Sequence, residues 1–215
     1  MAQVDFRPRL SENRAVNEPL RTFIAIELDE SIRHAIADIQ DRLKRDRAAR
    51  LVRWVTPANI HITLKFLGDV DADQMPALQN AIADACKGTP PFSLSLAGLG
   101  AFPNTRRPNN IWVGAAGQID VAAQLAQKID DVCVAFGVAR ENRPFTVHLT
   151  LGRVKKDVPP GERTSIGAML DAAKIETLGE LRVDHISVMK SELRPGGSVY
   201  TRLYAVELNE VKQDA

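Results

Sequence analysis

The sequence predicts an α+β fold. Three observations carry that expectation: segments with helical periodicity alternate with short strand-like runs, some of those runs follow one another as hairpin-like pairs, and a pattern of His, apolar, Thr, Leu at residues 61–64 returns at 148–151. The chain has only four histidines to place. A recurrence that uses two of them suggests an internal duplication.

Residues 1–20 are polar and charged, lack the apolar core of a signal peptide, and read as a flexible tail. A β-type run from Arg21 then ends in acidic residues, and Ser31 stands where the N-cap of a first helix is expected. Over residues 31–46, Ile32, Ile36, Ile39 and Leu43 recur at helical spacing and leave His34 on the polar face. A Pro-marked turn, the strand with the first motif and a Gly-Asp exit follow. A second helix carries Met75, Leu78, Ile82 and Cys86 on one stripe and stops at Gly88.

Residues 91–102 alternate apolar and small polar side chains as a half-buried strand does, residues 103–110 form a basic loop, and residues 111–115 are another strand. Asp120 to Phe136 is a third helix, with Leu125, Ile129, Val132, Cys133 and Phe136 facing inward and Gly137 closing it. After the second motif come a helix over Thr164 to Ala173 and two terminal strands, residues 182–193 and 199–208, joined by the turn Arg-Pro-Gly-Gly-Ser.

A hydrophobic share of 45%, a charged share of 26% and a formal net charge of +1 describe an ordinary soluble globular chain. Global charge gives no reason to expect a polyanion partner, so any nucleic-acid affinity must be local. Cys86 and Cys133 fall on helical apolar stripes, outside any metal or redox spacing, and are expected as buried free thiols. No run reaches the length of a membrane span, and the cytoplasm is the expected location.

Strand alternation gives the motifs their chemistry. Ile60, Ile62, Leu64 and Phe66 are expected on one face of the first motif strand and His61, Thr63 and Lys65 on the other; in the second copy Val147, Leu149 and Leu151 oppose His148 and Thr150. If the strands are neighbours, one cleft receives two imidazoles and two hydroxyls. Such a pair suits in-line displacement at phosphorus, one histidine taking the proton of water and the other protonating the departing oxygen. Threonine hydroxyls can donate to the non-bridging oxygens. Arg153, which ends the second motif, is the leading candidate for the cation that phosphate needs, followed by Lys65, with Arg106, Arg107, Arg140 and Arg143 behind them. Phe66 and Trp112 are expected in the core rather than under a base, and His34 and His185 lack partner motifs. No HxH, HExxH or cysteine cluster points to a metal.

With these motifs the sequence resembles the 2H phosphoesterases, and among them the RNA 2′,3′-cyclic phosphodiesterases, the LigT-like family also called 2′-5′ RNA ligases. The matching stretches are residues 21–28, 61–68, 98–114, 144–153 and 191–203, so the resemblance covers nearly all but the tail. It implies one domain over residues 21–210, with a two-lobed pseudo-symmetric fold, antiparallel sheets lining a central cleft and helices packed outside. It also implies opening of a terminal 2′,3′-cyclic phosphate to a 2′-phosphate without metal or cofactor, by a monomer acting on RNA ends or related nucleotides. By position, His61 is then the proton donor and His148 the proton acceptor, with Thr63, Thr150 and Arg153 binding the phosphate. The same acid–base pair, acting on a 5′-hydroxyl in place of water, joins it to the cyclic phosphate in a 2′-5′ linkage. Two rivals remain at this stage: a phosphodiesterase of small cyclic nucleotides, and a module that binds RNA ends without turnover.

Overall fold

The structure, a computed structural model, describes residues 18–209 except 174, 176 and 196. The first half of the chain contributes β1 (Leu20–Ile26), α1 (Glu30–Leu43), β2 (Val52–Trp54), β3 (Ile62–Val70), α2 (Met75–Cys86) and β4 (Phe92–Phe102). The second half contributes β5 (Asn110–Gly117), α3 (Ile119–Cys133), β6 (His148–Val154), α4 (Pro160–Ala173), β7 (Gly179–Val183), β8 (His185–Arg194) and β9 (Gly197–Glu207). The expected α+β class holds, and the strands form two antiparallel sheets of order β3-β1-β8-β9 and β2-β6-β5-β4-β7.

The two sheets repeat one plan. Each motif strand, β3 or β6, pairs with the first strand of its own half, and that strand pairs on its far side with one from the other half. Thus β8 lies beside β1 and β4 beside β5, so each sheet contains strands from both halves. Helices α2 and α3 pack together against the first sheet, while α1 and α4 contact each other and the second. The stripes read from the sequence are largely the buried ones: Ile32, Ile36, Ile39 and Leu43 on α1, Leu78, Ile82 and Cys86 on α2, Leu125, Ile129 and Cys133 on α3, with Met75, Val132 and Phe136 half-buried against the core. One continuous core joins all these layers.

Three local expectations change. The N-cap of α1 is Asp29, not Ser31: Asp29 is extended and its carboxylate accepts from the Ile32 N–H at 2.8 Å, and that bond holds its pKa down. Ser31 instead donates its hydroxyl to Asp29. The single strand expected over residues 182–193 is two strands in different sheets, because the chain passes at Asp184 from β7 beside β4 to β8 beside β1. The third change concerns Lys65. Rather than facing the site with His61, it is buried and paired with Asp130 of α3, and it donates to the Ala139 carbonyl at 2.6 Å. Asp130 also accepts from the Glu141 N–H, so this pair ties β3 to the segment leading into the second motif. The tail read at residues 1–20 lies outside the described residues up to residue 17, and β1 begins at Leu20.

Removing one partner of a buried ion pair leaves the other charge stranded. Lys65→Ala is therefore expected to lower unfolding stability in urea by about 3–5 kcal/mol. Lys65→Met combined with Asp130→Leu should recover most of that loss; equal losses for single and double variants would count against the pair as the cause.

Candidate active site

The motif strands β3 and β6 approach one another where the two sheets meet, and this brings the two halves of the site together. Both histidines are held in the same way. His61 Nδ1 lies 2.9 Å from the Asn59 carbonyl and His148 Nδ1 lies 2.7 Å from the Thr146 carbonyl, each two residues upstream. A carbonyl only accepts, so the bond assigns the proton to Nδ1 and leaves Nε2 as the nitrogen free to exchange one. Thr63 and Thr150 are half-buried, two residues beyond their histidines on the same faces.

A β-bulge then interrupts each motif strand at the third residue after its histidine. On β3, Ala25 pairs with Thr63 and Ile24 with Lys65, leaving Leu64 as the extra residue. On β6, Trp112 pairs with Thr150 and Ile111 with Gly152, leaving Leu151 as the extra residue. A bulge shifts the alternation by one, so the fifth residue after each histidine joins the site face. In the first copy that residue is Phe66, and in the second it is Arg153.

This shift accounts for both errors in the strand reading. Phe66, expected in the core, is 66% exposed and its ring contacts that of Phe23 on the site face. Lys65, the second-choice phosphate ligand, turns inward by the same shift. The fourth residue after the second histidine is Gly152, which has no room for a side chain: a Cβ there would lie 2.6 Å from Val52 of β2. Trp112 is also not fully buried. It is opposite Thr150, and its ring lies on Gly100 and against Phe102, whose ring meets His148 edge-on at 5.0 Å.

The two imidazoles differ in their surroundings. His61 stacks on Phe23 at 4.7 Å and meets Tyr200 edge-on at 5.4 Å. Burial among these rings is the largest influence on its pKa and pushes it below the usual histidine value. The Asn59 carbonyl and the Glu27 carboxylate pull upward, and the charges of Arg153 and His148 push further down. The influence of both Arg153 and His148 on His61 agrees with the meeting of β3 and β6.

Two supporting residues carried no recognisable signal in the sequence. Asn59 sits in a 3-10 turn before the first motif, and its amide donates to the Ser198 carbonyl of β9 at 2.7 Å. It therefore holds the two ends of the first sheet together while its own carbonyl orients His61. Gln40, buried on α1, donates to the carbonyls of Val55 and Leu151 at 2.7 and 3.0 Å. The second of these is the bulged residue that turns Arg153 toward the site.

The family model described as LigT like Phosphoesterase matches the chain twice, over residues 26–112 and 113–200, with one histidine motif in each match. This chain is a LigT-like phosphoesterase. The RNA 2′,3′-cyclic phosphodiesterase of Methanothermobacter thermautotrophicus is 35% identical over 189 residues, which cover 88% of this chain and 99% of that protein. The protein of the same name from Archaeoglobus fulgidus is 31% identical, covering 87% and 100% respectively. The crystal structure of E. coli LigT complexed with 3′-AMP aligns with a TM-score of 0.71 at 27% identity, over 90% of this chain and all of that one.

The remaining candidates in this phosphoesterase are engaged elsewhere or stand apart. Arg140 pairs with Asp131 and Arg143 with Glu141, whereas Arg106 and Arg107 are exposed in a loop ordered by the Asn104 side chain. His34 is near Glu30 on the exposed face of α1, and His185 bonds to Asp184. Arg153 has no ion-pair partner among the described residues, which leaves its guanidinium available to a ligand. Among those residues no three His, Cys, Asp or Glu side chains gather as a metal site. The thiols of Cys86 and Cys133 are buried and free, with pKa values raised to about 11 by burial.

An NMR titration of the imidazoles tests the local physics. His61 is expected to carry Nδ1–H throughout and to gain its second proton only below about pH 6.5, the ordinary histidine value. A midpoint at or above that value would contradict burial as the dominant influence.

Proposed function

We propose that this phosphoesterase is an RNA 2′,3′-cyclic phosphodiesterase, which opens a terminal 2′,3′-cyclic phosphate to a 2′-phosphate by metal-free acid–base catalysis. The observation that carries the proposal is the pair of His-x-Thr motifs on adjoining strands, each with Nδ1 tied to a backbone carbonyl and Nε2 free. The names of the relatives point to the same substrate class.

In this mechanism His148 Nε2 takes a proton from water as the water oxygen attacks phosphorus. The bond from phosphorus to O3′ breaks on the opposite side, and His61 Nε2–H gives its proton to that oxygen. The product is a 2′-phosphomonoester, with His148 protonated and His61 neutral, and exchange with solvent restores both. Thr63 and Thr150 donate to the non-bridging oxygens and Arg153 balances their charge. With a 5′-hydroxyl in place of water, the same attack on the cyclic phosphate releases O3′ and makes a 2′-5′ linkage.

The role of His61 requires an imidazolium, which burial opposes in the free enzyme. The negative phosphate favours it on binding. The alkaline limb of kcat/KM, which reports the free enzyme, is therefore expected below about pH 6.5, and the corresponding limb of kcat at higher pH. Coincident limbs, or a limb that survives in His61→Ala, would exclude His61 as the donor.

Both motifs come from one chain, so we assign the activity to a monomer. Two buried free thiols suit a reducing cytoplasm. Among the described residues no helix is long and apolar enough to cross a membrane.

The direct test is phosphorus NMR of a short RNA ending in a 2′,3′-cyclic phosphate, incubated with the protein in EDTA. Conversion to the 2′-phosphate is expected, with losses of about 100- to 10,000-fold in His61→Ala and in His148→Ala. Turnover that requires added metal would sink the mechanism. Tight binding without turnover would favour the end-binding module instead.

A further inference from the structure

Beside His61 is a cavity of about 470 Å³. Its lining comes from the end of β1, the start of α1, the turn before His61, β8 and β9, and does not include Phe66. Two guanidiniums, Arg33 and Arg202, one carboxylate, Glu27, and the Tyr200 ring give it its chemistry.

The polar groups are arranged to leave donors free. Arg202 is paired with Glu27, whose side chain is only 16% exposed, so the carboxylate holds the guanidinium in place while using part of its donor set. Arg33 makes only a long contact of 3.7 Å to Glu30, and its Nε is buried without an acceptor among the described residues. A buried donor without a partner is costly, and two guanidiniums line this cavity beside the single carboxylate of Glu27.

We propose that this cavity is the subsite for the nucleotide linkage upstream of the cyclic phosphate: it takes the phosphate on the 5′ side of the terminal nucleoside, with Arg33 and Arg202 as its cationic contacts. The proposal rests on the assignment of His61 as proton donor to O3′. A donor to O3′ stands on the ribose side of the scissile bond, and from there the ribose continues through its 5′ carbon to the next phosphate. The cavity next to His61 is where that continuation leads. Its volume falls in the range of about 300–1,000 Å³ that holds small ligands, enough for a sugar-phosphate unit. The consequence is selectivity for an RNA end over a nucleoside cyclic phosphate with a free 5′-hydroxyl.

The test compares kcat/KM for a nucleoside 2′,3′-cyclic phosphate bearing a 5′-hydroxyl with that for a dinucleotide ending in the same cyclic phosphate. The parent protein is expected to favour the dinucleotide by about tenfold or more, the contribution of one charge-assisted contact. Arg33→Gln, which leaves the Glu27–Arg202 pair intact, should lower kcat/KM for the dinucleotide about tenfold and for the mononucleoside less than about threefold. Arg202→Gln, which also frees Glu27 beside His61, should likewise cost the dinucleotide more than the mononucleoside. Equal losses on both substrates, or no loss on either, in variants with parental thermal stability would overturn the subsite while leaving the reaction in place. Failure of the parent to open either substrate would overturn the reaction and the subsite together.

Discussion

The site depends on a β-bulge used twice. In each motif strand the ladder skips one leucine, three residues after the histidine, and that shift decides which later side chains share the face of the histidine. Without it, strict alternation would put Lys65 and Gly152 on the site side and send Phe66 and Arg153 elsewhere. With it, an aromatic ring and a guanidinium occupy equivalent positions on opposite walls. The second bulge is supported from outside: Gln40 of α1 binds the carbonyl of Leu151, the skipped residue, so a helix packing on the second sheet helps to fix the aim of Arg153.

One backbone plan thus carries two different chemistries. The carbonyl two residues upstream sets the same tautomer in both histidines, yet His61 is packed between Phe23 and Tyr200 and loses proton affinity to burial. Glu27 opposes that loss, and its own partner Arg202 borders the neighbouring cavity.

The exchange of β4 and β8 between halves makes the sheets mutually dependent. Each motif strand rests on a strand of its own half, which in turn rests on a strand from the other half. Lys65 adds a polar cross-link, reaching from the first motif strand to Asp130 and to the segment before the second motif. A displacement of one wall is therefore resisted by the core of the whole molecule, which suits a candidate site whose two motif histidines belong to different sheets.

The sequence by itself determined the helices through their apolar stripes, the two motif strands through alternation, and the pairing of the motifs through repetition of a rare residue. Each of these is a local regularity, visible without a partner. It could not determine the bulges, because a skipped residue exists only relative to the strand beside it, and Leu64 and Leu151 look like any other strand leucines. The same holds for the break at Asp184, which separates strands of two sheets, and for Asn59 and Gln40, whose bonds reach Ser198 and Leu151 across 139 and 111 residues of chain. Tertiary structure decided these, and with them the inward turn of Lys65 and the exposure of Phe66, because strand register and long-range hydrogen bonds are properties of assembled neighbours.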